Sequence, residues 1–205
     1  MRSPKTEKLL LDGPAGKIEV DVSEPAVETG GRRGIALIAH PHPLMGGTKD
    51  NKVVTTLART FNALGYVALR PNFRGVGATA GVHDEGRGET SDLIAVARYA
   101  QAHYGSLPLV CAGFSFGSFV QTRVAKELHP DQLVLVAPAV NRFPTETVPP
   151  GTLIIHGDLD DVVPLQAVLE WARPQNLAVV VVPGGEHFFH GRLHQLQDIV
   201  TRYCR

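Results

Sequence analysis

The stretch LPLVCAGFSFGSFVQTRVAKEL, residues 107–128, decides how the rest of the chain reads. Residues 107–112 form a short apolar run without charge, the pattern of a strand buried on both faces. Residues 118–128 read as a helix. Between them stand Gly113, Phe114, Ser115, Phe116 and Gly117. A G-x-S-x-G between strand and helix is a nucleophile elbow. The chain turns so sharply that the serine hydroxyl stands above the sheet, and glycines are needed where side chains would collide. The competing reading is an ordinary strand-to-helix turn.

Working outward, similar apolar runs recur at residues 35–39, 66–69, 133–137, 153–155 and 178–182. Helical patterns lie between them. Val53, Val54, Leu57, Phe61 and Leu64 make one face, as do Leu93, Val96, Ala97 and Ala100, and again Leu193, Leu196, Ile199, Val200 and Tyr203. Alternating strands and helices predict an α/β fold, a mostly parallel twisted sheet with helices on both faces. The N-terminus has a different texture. Residues 17–22 alternate polar and apolar, residues 9–11 precede them, and residues 12–16 supply a turn, which predicts an antiparallel edge hairpin. No repeat or linker interrupts the chain, so residues 1–205 are expected to form a single domain.

Composition narrows the function classes. The chain has 205 residues, 43% hydrophobic and 20% charged, which is globular and excludes disorder. Twenty basic and twenty acidic residues leave no net charge, so no basic field draws nucleic acid or an anionic membrane, and neither is expected as a partner. Cys111 and Cys204 cannot make a disulfide framework, and a reduced, cytoplasmic protein is the simplest expectation. The first 17 residues show no apolar core of a signal peptide. The longest apolar stretches, such as residues 133–140, fall far below the ~18 residues of a membrane span. An uncharged stretch at residues 177–182, near the sheet edge, suggests a monomer or weak homodimer.

Two further segments carry chemistry. In residues 154–164 a buried strand runs into Asp158, Asp160 and Asp161, at the end of the sheet where α/β folds place their sites. In residues 181–190 another strand ends, a glycine turn follows, and His187 and His190 appear. The order is serine, acid, histidine, as in α/β-hydrolases and unlike the chymotrypsin or subtilisin orders. His40 and His42 have no third ligand at convincing spacing, and His187, His190 and His194 lack a thiolate or carboxylate complement, so no metal is expected.

On these motifs the chain resembles the α/β-hydrolase superfamily, near its small, lidless, dienelactone-hydrolase-like bacterial members. The resemblance runs from about Gly34 to the C-terminus. It implies Ser115 as nucleophile, Asp160 as the acid of a His-Gly-x-x-Asp pattern, and His187 as base. Asp158 is left to brace the turn, Asp161 to cap a helix beginning near Pro164, and His190 to face away. One oxyanion donor should be the Phe116 N–H. The second must come from residues 39–47, where Pro41 and Pro43 have no N–H, leaving Leu44 first and His42 as alternative. Arg74, in an Arg-Gly-x-Gly turn, is expected to brace a carbonyl or carboxylate. Residues 141–150 stand where capped relatives insert a lid, so no cap domain and an open, shallow site are expected. Leu44, Met45, Val162 and Phe188 are its candidate walls, with Phe114 and Phe116 equally readable as core. The resemblance implies a carboxylesterase for small acyl substrates, working through an acyl-enzyme without a cofactor. Thioesterase, lactonase and peptidase share that chemistry, and a non-catalytic binding protein is the rival from another class.

Overall fold

The computed structural model describes residues 6–25 and 30–205. The reading of the first 17 residues falls in part on residues 1–5, outside the described residues. Eight strands make one sheet: β1 (Thr6–Gly13), β2 (Gly16–Ser23), β3 (Gly34–Ala39), β4 (Tyr66–Pro71), β5 (Leu109–Phe114), β6 (Gln132–Val136), β7 (Leu153–Gly157) and β8 (Val179–Val182). Among the described residues five α-helices accompany them: α1 (Lys52–Ala63), α2 (Arg87–Tyr104), α3 (Phe116–Leu128), α4 (Leu165–Ala172) and α5 (Leu193–Tyr203). The strand order is β1-β2-β4-β3-β5-β6-β7-β8. β1 pairs antiparallel with β2, and β2 antiparallel with β4. All other neighbours are parallel.

The continuous apolar runs divide by alternate residues. In β3, Ile35 and Leu37 face the cluster that contains Leu93, Val96, Phe119 and Val120 of α2 and α3. Ala36 and Ile38 face the opposite cluster, with Val53, Leu57 and Phe61 of α1 and Leu196 and Val200 of α5. Each helix therefore buries its apolar stripe on one side of the sheet, and a strand wet on neither side needs no polar alternation. α4 packs Val168 and Ala172 against Ile154 and Val163 at the β7 end. The edge hairpin stands where it was expected, and β8 forms the opposite edge.

β3 and β5 are neighbours, but the connection from β3 leads to β4 on one side and β5 leads on to β6 on the other. The loops leaving their carboxyl ends diverge there and open a crevice, the place where α/β sheets hold ligands. Among the described residues no helix is long and apolar enough to cross a membrane.

Candidate active site

Ser115 follows β5 and precedes α3, with φ 55° and ψ −117°. That is a strained conformation for a residue with a Cβ, and it is sustained only by close packing on both sides. Gly117 supplies it: a Cβ there would lie 2.4 Å from the Ala39 carbonyl oxygen, so α3 can approach β3 only because that Cβ is missing. The Ser115 N–H donates to the Val136 carbonyl at 2.9 Å and anchors the turn to β6. Nearby Ser118 has its hydroxyl committed to the Gly113 and Val136 carbonyls at 2.7 and 3.0 Å, in full burial.

Asp160 and His187 come from neighbouring loops after β7 and β8. Their backbones meet closely: a Cβ on Gly157 would lie 2.1 Å from the Gly185 oxygen. The Leu159 N–H donates to that same carbonyl at 3.0 Å. His187 Nδ1 then lies 2.8 Å from Asp160 Oδ2, and His187 Nε2 lies 3.0 Å from Ser115 Oγ. Asp160 Oδ1 accepts from the Val162 and Val163 N–H groups at 2.9 and 2.8 Å. Burial pushes the Asp160 carboxyl up. The His187 and Val163 hydrogen bonds, with the His187 and His156 charges, outweigh burial and hold its pKa below the ordinary carboxylate value. His156, buried beside it, donates from Nε2 to the Val163 carbonyl at 2.8 Å, with Asp160 Oδ2 at 3.5 Å.

The competing residues fall elsewhere. Asp158 Oδ1 accepts from the Gly184 N–H at 2.6 Å and braces the turn after β8, as expected. Asp161 is exposed and caps nothing, a correction: Pro164 stands at the N-cap of α4 without a side-chain cap. His190 is exposed and faces Glu186 at 3.5 Å. Arg74 forks the Asp92 carboxylate from Nε and Nη2 at 2.7 and 3.0 Å, the bracing role expected of it.

The loop after β3 corrects the first choice of oxyanion donor. Pro43–Met45 form a 3₁₀ turn, and His42 caps it by accepting the Leu44 N–H on Nδ1 at 3.2 Å. Met45 and Gly47 donate to the His42 carbonyl, and Gly46 donates to the Pro43 carbonyl. Leu44 therefore has its N–H engaged and its side chain 71% exposed, and it does not line the cavity. Within residues 42–47 the His42 N–H is the backbone donor left without a partner. Phe116 opens α3, and a first helical N–H has no partner within its helix. His40 holds the loop from below. Its Nε2 accepts the Phe73 N–H at 2.9 Å and its Nδ1 lies 2.7 Å from the Pro41 carbonyl. Burial, opposed by the Pro41 carbonyl, pushes its pKa down to about 4.

A cavity of about 370 Å³ opens at Ser115 and His187. Met45, Val162, Phe188 and Phe116 line it. Phe114 does not. It points to the opposite face of β5, is fully buried, and lies beneath His187 with ring centroids 5.0 Å apart. The segment expected only to leave the site open also supplies a wall. Phe143 stacks on Phe119 at 5.0 Å, meets Phe116 and His42, and lines the cavity beside Arg142. Asn51, Arg142, Phe143 and the His42 ring were missed as lining residues. The one available signal was Phe143, a lone aromatic in an otherwise polar, proline-rich stretch.

The sheet, the strand-to-helix elbow and the uncovered crevice together define an α/β serine hydrolase without a lid. Residues 42–151 match the family described as serine aminopeptidase, S33, and the chain belongs to that family. A lidless α/β serine hydrolase from Xanthomonas campestris superimposes with a TM-score of 0.93 at 38% identity, over 100% of this chain and 96% of that one. An α/β serine hydrolase homologue from Coxiella burnetii gives 0.90 at 41% identity, over 97% of each chain. The uncharacterized protein RP471 of Rickettsia prowazekii is 29% identical over 96% of this chain and 87% of its own length.

Proposed function

We propose that the protein is a carboxylesterase for small acyl esters, with Ser115 as nucleophile, His187 as general base and Asp160 as its orienting acid. The unbroken chain of contacts at 2.8 and 3.0 Å, opening on an apolar cavity, carries this reading. With the Nδ1 proton held by Asp160, Nε2 is free to accept the Ser115 proton as Oγ attacks the ester carbonyl. The tetrahedral oxyanion is held by the Phe116 and His42 N–H groups. Collapse expels the alcohol, which takes the proton from Nε2. Water, activated by the same base, then releases the acid and restores Ser115. An aminopeptidase must hold a substrate ammonium group, and among the described residues no carboxylate lines this cavity. That favours an ester over a peptide with a free N-terminus.

A chain-length series of acyl esters and thioesters, run on wild type and Ser115→Ala, tests the reading. Short acyl esters are expected to turn over only with Ser115 present, and a fluorophosphonate is expected to label Ser115 alone. Labelling that persists in Ser115→Ala removes the assignment.

The donor assignment has its own test. His42 has φ −53°, which a proline accepts, so His42→Pro deletes the N–H without forcing the backbone. His42→Ala deletes only the imidazole. The proline variant is expected to lose a further ~10²-fold in kcat relative to the alanine variant, the scale of one oxyanion donor. Equal kcat in the two variants returns the second donor to another group.

A further inference from the structure

We infer that the ester substrate carries an anionic group, a carboxylate or phosphate, and that Arg142 selects it. The inference rests on the esterase reading and deepens it. Outside Ser115 and His187, the polar side chains lining the cavity among the described residues are His42, Asn51 and Arg142. Each of them offers donors. His42 Nδ1 accepts the Leu44 N–H, so the ring proton stands on Nε2. Asn51 Oδ1 caps α1 by accepting the Val53 N–H at 2.9 Å, which leaves its NH₂ group uncommitted. Arg142 is a permanent cation with donors in a fork that matches a carboxylate or phosphate.

Arg142 differs from the arginines that brace the fold. Arg74 and Arg70 are tied to Asp92 and Asp21 at 2.7 and 3.2 Å. Among the described residues, the Arg142 guanidinium has no ion pair or side-chain hydrogen bond. Its backbone is nonetheless held. The Arg142 N–H donates to the Ala139 carbonyl at 3.1 Å, and Asn141 Nδ2 donates to the Val162 carbonyl at 3.3 Å. The adjoining Phe143 ring is fixed by its stack on Phe119. The carboxylates that His42 feels are Glu89 and Glu85. Neither lines the cavity, and buried Glu89 is committed to His83 and to the Asp84 and Gly86 N–H groups. An exposed guanidinium carried on a held backbone at the edge of an apolar cavity, with only donor side chains beside it, is complementary to a negative substrate and repels a positive one.

Two pairs of near-isosteric esters test this, one with the charge on the acyl side and one on the alcohol side. They are monomethyl glutarate against methyl valerate, and the butyryl esters of γ-hydroxybutyrate and butanol. In at least one pair, wild type is expected to prefer the anion by roughly fivefold in kcat/KM at low salt, the scale of one exposed but well-placed charge pair. The preference is expected to shrink as salt rises, and the charged-to-neutral ratio to fall to about one in Arg142→Gln. A phosphate analogue of the preferred ester separates the two anions. If no Ser115-dependent turnover is found, the esterase reading falls. Calorimetric binding of the same pairs to Ser115→Ala protein, with and without Arg142→Gln, then decides for Arg142 independently. Equal treatment of charged and neutral esters in both pairs, or a preference that survives Arg142→Gln, overturns the inference.

Discussion

His187→Ala is expected to lower kcat on a short acyl ester by about 10⁶-fold, the loss seen when a serine hydrolase loses its base. His190→Ala is expected to change it by less than about threefold, as a surface substitution away from the reacting atoms. The two histidines are three residues apart on one loop, and the sequence favours His187 only because it comes sooner after the strand, past a Pro-Gly-Gly turn. Their positions in the structure separate them fully. His187 is 4% exposed, within reach of both Ser115 and Asp160, and it rests on Phe114. His190 lies in solvent beside Glu186. The loss in His187→Ala is expected in single-turnover acylation as well as at steady state, because among the described residues Ser115 Oγ has no other proton acceptor within hydrogen-bonding distance. Substantial acylation by His187→Ala, together with a large loss in His190→Ala, would reverse the assignment.

The contrast between these histidines shows what could be read in the chain beforehand. The strands were legible because burial on both faces leaves continuous apolar runs, and each helix was legible by its single stripe. The elbow was legible because only glycine fits at Gly113 and Gly117, where any Cβ would meet backbone. The order of Ser115, Asp160 and His187 needed only that each follow a strand. Features set by local hydrogen-bond geometry were not legible. Leu44 was the natural donor by counting prolines, yet its N–H is taken by the ring of the neighbouring His42, a side-chain-to-backbone bond without a periodic signature. Asp161 looked like a cap, but Pro164 occupies that position. Phe114 and Phe116 looked equivalent. They flank Ser115, and the turn sends Phe114 beneath His187 and Phe116 to the cavity. Phe143 reaches the site from a segment with no regular structure, positioned by ring stacking.

Asp160→Asn is expected to lower kcat by about 10⁴-fold, while Asp158→Asn and Asp161→Asn stay within about tenfold of wild type. The reason lies in the two oxygens of Asp160. Oδ1 accepts from the Val162 and Val163 N–H groups, and Oδ2 meets His187 Nδ1. An asparagine placed there has one oxygen and one NH₂, and its orientation is not free. The two backbone N–H groups require the oxygen, because an NH₂ facing them would bury unpaired donors. The NH₂ is therefore turned toward His187, where Nδ1 must accept rather than donate. The ring proton moves to Nε2, the atom that has to take the Ser115 proton, and the base is blocked although its position is unchanged. Asp158→Asn keeps an oxygen for the Gly184 N–H, and exposed Asp161 has no bond to lose. Thermal midpoints measured beside kcat separate loss of chemistry from loss of fold: the Asp160→Asn protein should remain folded and bind a fluorescent ester analogue while failing to acylate. Equal losses in all three variants would mean that Asp160 has no special claim on His187.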